Sequence, residues 1–171
     1  MVRQIHRLGA ADLVVSSPEL GTRPITVGQI AEHLRLLEPD VPANTERLRY
    51  WTNAGLLRPI DQELRTGTGK HRQYHVSAIF DAAALIVVTK SGLQIAGSLL
   101  HDIVCQARQA LHNWNGADLY LQISYATDPL PTIAIHQGRI PTKPTGRFTI
   151  VLNLTQIASD AKLHLTKRAS Q

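Results

Sequence analysis

Two clusters of side chains carry the chemistry that this sequence can offer. Between residues 65 and 75 lie Arg65, Lys70, His71, Arg72 and His75, with no acid among them and with Gly67 and Gly69 in the same stretch. Cations on a pliable loop suit phosphate oxygens, the groups that supply most nucleic-acid affinity. A solvated turn is the plain alternative. The second cluster runs from Asn44 through Thr45, Glu46, Arg47 and Arg49 to Tyr50. An amide, a hydroxyl, a carboxylate and two guanidinium forks are the side-chain types that can read base edges and backbone.

Other chemistries find little support. Cys105 is the only cysteine, so an intrachain disulfide or a cysteine-based zinc site is excluded. It falls near the apolar side of a helix and is expected to be a buried small hydrophobe. His71 and His75 are four apart, as are Asp102 and Gln106, but neither pair brings the third and fourth ligands that zinc requires. No metal or other cofactor is expected. His33, His101 and His112 are expected at the surface. The chain has no Gly-x-Ser-x-Gly, Walker loop or dinucleotide fingerprint, and Gly67-Thr-Gly69 is too short to cradle a phosphate chain. The protein is therefore not expected to be an enzyme.

These side chains need a scaffold, and composition bounds it. The 171 residues make one domain or two small ones, and with 43% hydrophobic and 18% charged residues they can bury a core. The longest apolar run, residues 82–88, is far shorter than the ~20 residues of a membrane helix. No secretory signal is read in the charged N-terminal stretch. The expected location is the cytoplasm, in association with the nucleoid. The net charge of +5 divides into +2 over residues 1–75, zero over 76–113 and +3 over 114–171. No basic tail emerges, which disfavours a purely sequence-blind electrostatic binder.

The elements follow from pattern. Residues 1–24 hold Pro, Gly and Ser without a sustained period and read as a flexible arm. Thr26 with Gln29 three residues later forms a capping box, and Val27, Ile30, Ala31, Leu34 and Leu37 make one apolar helix face. Pro39 and Pro42 are expected to stop that helix. Asn44 is expected to cap a second helix over 45–54, with Leu48 and Trp51 inward and Gly55 closing it. Tyr50 and Tyr74 can be either surface contacts or core aromatics, and Arg49 can equally be an ion-pair partner. Residues 58–75 read as a hairpin excursion. Helices follow over 76–90 and 94–112. From about residue 117 period-two alternation predicts strands at 119–125, 133–135 and 148–154, with a closing helix over 157–165. The fold class is α+β.

The run Arg47-Leu-Arg-Tyr-Trp-Thr-Asn-Ala-Gly-Leu-Leu57 resembles the signature of MerR-type winged helix-turn-helix regulators. Ile25-Thr-Val-Gly-Gln-Ile-Ala31 resembles the first helix of that family, and Gly69-Lys-His-Arg-Gln-Tyr74 resembles its wing. The three blocks occur in family order within residues 25–112. Arg47 stands where the family usually has Thr, and Thr52 where it usually has Glu. The turn carries extra residues over 38–43. Asn113-Trp-Asn-Gly116 and strands replace the long helix that commonly pairs in the family's dimer.

The resemblance implies four helices plus a wing over 25–112, followed by a small α+β dimerisation or effector domain over 117–171. It implies a sequence-specific double-stranded DNA binder that regulates transcription, with a homodimer expected and RNA polymerase or another protein as a further candidate partner. With the recognition helix in the major groove, Asn44, Thr45, Glu46 and Arg47 would meet base edges. Thr26, Gln29, Arg49, Tyr50, Lys70, His71, Arg72 and Tyr74 would meet phosphates. Two alternatives stay open. One is an architectural or recombination-accessory DNA binder of a mobile element. The other is a ligand- or protein-binding module without DNA affinity, with Tyr120, Tyr125 and Phe148 lining an apolar pocket.

Overall fold

The computed structural model describes residues 13–17, 19–21, 23–60, 72–91, 96–125, 131–141 and 148–167. These form five helices and three small antiparallel sheets, a mixed α+β architecture.

Helix α1 (Val27–His33) starts as its sequence requires. Thr26 Oγ1 accepts from Gln29 N–H, and Gln29 Oε1 accepts from Thr26 N–H at 2.8 Å. The helix ends earlier than expected. Residues 34–38 turn back through short-range bonds such as Leu37 N–H to Leu34 O at 2.9 Å, so Leu34 is buried from a turn rather than a helix. Pro39 and Pro42 are not what stops it.

Helix α2 (Val41–Asn53) corrects a second expectation. Its cap is Asp40, whose side chain accepts from Ala43 N–H at 3.0 Å, and not Asn44. Pro42 sits in the first turn, where a missing N–H leaves no intrahelical bond unmade. Leu48 and Trp51 face inward as their spacing demands, each contributing roughly 1.5–3 kcal/mol of burial. Gly55, at φ +76°, closes the helix, and Leu56 N–H returns to Trp51 O at 2.9 Å.

The strand β2 (Ile25–Thr26) pairs with β3 (Gln73–Tyr74), and Ile60 N–H donates to Gln73 O at 2.8 Å. These contacts close the base of the excursion expected over 58–75, whose remainder, 61–71, lies outside the described residues. Helix α3 (Ser77–Lys90) is apolar around most of its circumference and runs through the core. Helix α4 (Gly97–His112) is amphipathic and packs on it through Leu100, Ile103, Val104 and Ala107.

Strands β4 (Leu119–Tyr125), β5 (Thr132–Gln137) and β6 (Phe148–Asn153) form a sheet in the order β5-β4-β6. Leu119, Leu121, Ile123 and Leu152 face the core. Tyr120 and Tyr125 fall on opposite faces by strand parity, so Tyr125 meets Phe148 (ring centroids 6.2 Å apart) while Tyr120 lies on the other side. The three aromatics do not converge on one pocket.

Two local readings change at the termini. The closing helix is α5 (Leu154–Asp160), capped by Asn153, and strand β7 (His164–Lys167) follows it. The apolar spacing of 157–165 misled because it runs from one element into the next. Within the segment expected to be a flexible arm, strand β1 (Leu13–Ser16) pairs antiparallel with β7. Its four residues carry too little periodicity to announce a strand whose partner is 150 residues away.

One hydrophobic core links both halves. It contains Ile30, Leu48 and Ile79 together with Leu119, Leu121, Leu154 and Ile157. Residues 113–116 therefore join two parts of one packed unit, rather than linking two cores. No described helix is long and apolar enough to cross a membrane.

Candidate nucleic-acid interface

The outer face of α2 presents Glu46, Arg49, Tyr50 and Asn53 to solvent, with Tyr50 69% exposed. The inner stripe of Leu48, Trp51 and Thr52 fixes that orientation. Residues on one side of a helix must leave when their neighbours at three- and four-residue spacing are buried.

The expected base-edge residues meet different fates. Asn44 is fully buried at the head of the inner stripe, and neither its Oδ1 nor its Nδ2 has a hydrogen-bond partner among the described residues. It cannot reach a base edge from there. Thr45 is half-buried, and its hydroxyl donates to Val41 O at 2.8 Å. Glu46 and Arg49 are paired one helical turn apart. Arg47 donates to Glu38 Oε2 at 2.9 Å, and Lys90 at the end of α3 reaches the same oxygen at 3.2 Å. Lys90 also donates to Leu37 O at 2.8 Å. The Arg47 hydrogen bond draws the Glu38 carboxyl below its ordinary range against the cost of burial, with Lys90 adding to the pull. Three elements thus meet at one carboxylate, and the Arg47 side chain keeps about a third of its surface exposed there.

The phosphate set divides as well. Thr26 and Gln29 occupy each other in the capping box at the start of α1, with Gln29 at the surface. Tyr50 is exposed at the surface. Tyr74 is a core residue, its hydroxyl bonded to Thr52 Oγ1 at 2.8 Å. Arg72 donates to Asn53 Oδ1 at 2.9 Å, which fastens the end of the excursion to the last turn of α2. Lys70 and His71 lie outside the described residues.

Sequence reasoning missed four participants. Glu38 and Lys90 position Arg47, Asn53 positions Arg72, and Arg58 stands exposed just past the end of α2. Arg58 had a readable signal, since buried Leu56 and Leu57 and the following Pro59 leave it little choice but solvent. Glu38 and Lys90 had none, because their meeting spans 52 positions.

Below this surface Arg108 on α4 donates through Nε and Nη2 to Asp81 Oδ2 on α3 at 2.8 and 2.6 Å, and Nη2 also donates to Leu56 O at 3.3 Å. Burial pushes the Asp81 carboxyl up, with the Arg108 hydrogen bond opposing it. The pair ties the exit of α2 to both long helices.

Two further expectations are corrected. The His33 side chain is 3% exposed rather than at the surface, and its Nε2 lies 2.8 Å from Ala161 O. Cys105 is only half-buried, with Sγ 3.5 Å from His101 Nε2. Among the described residues no group of three His, Cys, Asp or Glu side chains is placed to hold a metal.

No family model, no curated protein and no solved structure matches this chain.

Proposed function

We propose that the protein is a sequence-specific double-stranded DNA-binding regulator of transcription, built on a winged helix-turn-helix like that of the MerR type. The observation that carries this reading is the outer face of α2. Arg49, Tyr50 and the Glu38-held Arg47 stand out along one helix, and Arg72 is fastened beside its last turn. In this reading α2 enters the major groove. Arg47, Glu46 and Thr45 then meet base edges from its second turn, Pro42 and Ala43 fill the first turn, and Asn44 supports the helix from within. Tyr50, Arg49 and Arg72 hold the backbone on either side. Glu46 sharpens selection, since an acid beside phosphates is tolerated only where a cytosine amine faces it.

Selection from a randomised duplex pool, followed by titration with Arg47→Ala and Arg72→Ala, tests the reading. R47A should relax preference at one position, while R72A should weaken all duplexes alike. Affinities unchanged in both variants would sink the assignment of this face.

A second reading is favoured by one observation. Helix α4 ends at His112 and the chain passes into a sheet, so the described residues offer no long helix for pairing two copies. An architectural protein arrayed head to tail on direct repeats needs no such helix. Footprinting separates the two: a single palindrome supports the regulator, a tandem array the architectural protein.

A further inference from the structure

Beyond the last turn of α2 the surface opens into a cleft of about 380 Å3. Among the described residues it is lined by Thr52, Asn53, Gly55, Leu57, Arg58, Pro59 and Arg72, none of them an acid. Two arginines line it, Arg58 from the stretch after the helix and Arg72 from the foot of the excursion. Arg72 spends one nitrogen on the neutral Asn53 amide, so its charge is not cancelled. Arg58 is exposed and has neither ion pair nor hydrogen bond among the described residues. This sets the two apart from Arg35, Arg47, Arg49 and Arg108, each of which is paired with a carboxylate. Asp81, the acid closest in effect to Arg58, is buried and bonded to Arg108, so it does not close the cleft.

The end of a helix is ordinarily a poor place for an anion, because open carbonyls face it. Here those of Tyr50, Trp51 and Thr52 are occupied. Thr52 O accepts from Gly55 N–H at 3.1 Å, and Trp51 O accepts from both Leu56 and Leu57 N–H. The positive φ of Gly55 makes this back-bonding possible.

We propose that this cleft is a phosphate-binding site in which Arg58 and Arg72 close on one phosphate group from two sides. Planar forks with several donors suit its oxygens better than point charges would. The proposal rests on the DNA-binding reading for its favoured source, a backbone phosphate flanking the groove that α2 enters. A free phosphate compound shares the same chemistry.

The test uses the full chain with Arg58→Gln, and Arg35→Gln as a control at an exposed arginine already paired with Glu32. R58Q should melt close to the wild-type temperature, because Arg58 makes no ion pair or hydrogen bond among the described residues and reaches Asp81 only as a distant charge. Binding of a random-sequence duplex is measured against salt. R58Q should flatten the slope of log K on log salt by about 0.9, and it should weaken specific and scrambled duplexes by the same factor. R35Q should leave the slope unchanged. A wild-type slope in R58Q, or an equal loss in R35Q, overturns the proposal. If the wild-type chain binds no duplex, the DNA reading fails by itself, and inorganic phosphate followed at the arginine Nε–H resonances decides the cleft. Saturable shifts at Arg58 and Arg72 that vanish in R58Q support a site for free phosphate. Absence of any shift overturns it.

Discussion

Replacing Asp81 with alanine should cost more stability than any other single exchange discussed here. The carboxylate is buried, and it takes two donors from Arg108, whose side chain is 30% exposed. Removing one member of a buried pair usually costs 3–5 kcal/mol, because the remaining charge loses its partner. Arg108 retains some solvent and the Leu56 carbonyl, so about 2–4 kcal/mol is expected here. For a chain of this size that lowers the melting temperature by roughly 5–15 °C. Replacing both partners with apolar residues, Asp81→Leu with Arg108→Met, should recover most of the loss, since neither charge then has to be desolvated. The pH dependence supplies an independent sign. Burial raises the folded-state carboxyl above its unfolded value of about 3.8, so the folded chain holds its proton longer. Wild type should therefore lose stability relative to Asp81→Asn as pH rises from below that value through the folded one. Urea denaturation from pH 3 to 7 measures both effects. The reasoning is refuted if wild type instead gains on D81N with rising pH, because attraction to Arg108 then outweighs burial. It is refuted equally if the double variant is no more stable than D81A.

Three other outcomes follow from single sites. Asn44→Leu should stabilise the protein by about 1–2 kcal/mol, since it removes two buried polar atoms without partners; a lower urea midpoint would contradict this. Glu38→Gln should cost about 0.5 kcal/mol at neutral pH after solvent screening. The Glu38 carboxyl is held low, so its contribution is present above about pH 4.5 and lost as pH falls through the folded value. The gap between wild type and E38Q should then narrow at pH 3, and a constant gap would show that Glu38 acts only by packing. Gly55→Ala should lose about 1–2 kcal/mol, because φ +76° is left-handed, and an unchanged thermal midpoint would mean that the turn relaxes.

Local chemistry was legible where it closed over a few residues. The Thr26–Gln29 box, the Gly55 exit and the strand at 119–125 could be read because caps and alternation involve neighbours. The start of α2 was misread because Asp40 and Asn44 are both good caps and Pro42 fits equally before or within a first turn. Only packing chose between them, by drawing Asn44 into the core. The two tyrosines show the same limit. Tyr50 and Tyr74 are alike in type and context, yet one is exposed and the other is bonded to Thr52 across 22 positions.

The sequence by itself determined the mixed α+β class, the helical seam of Leu48 and Trp51, and the concentration of cations around α2 and the excursion. These are properties of periodicity and composition, carried by every copy of the chain, folded or not. The tertiary structure alone decided which cations are spent. Arg47 goes to Glu38 and Arg108 to Asp81, which leaves Arg58 and Arg72 lining a cleft that has no acid among the described residues. Charge is counted along a sequence, but its neutralisation depends on distance in space. Only the fold sets the distances between Arg108 and Asp81, 27 positions apart, or between Arg72 and Asn53, 19 positions apart.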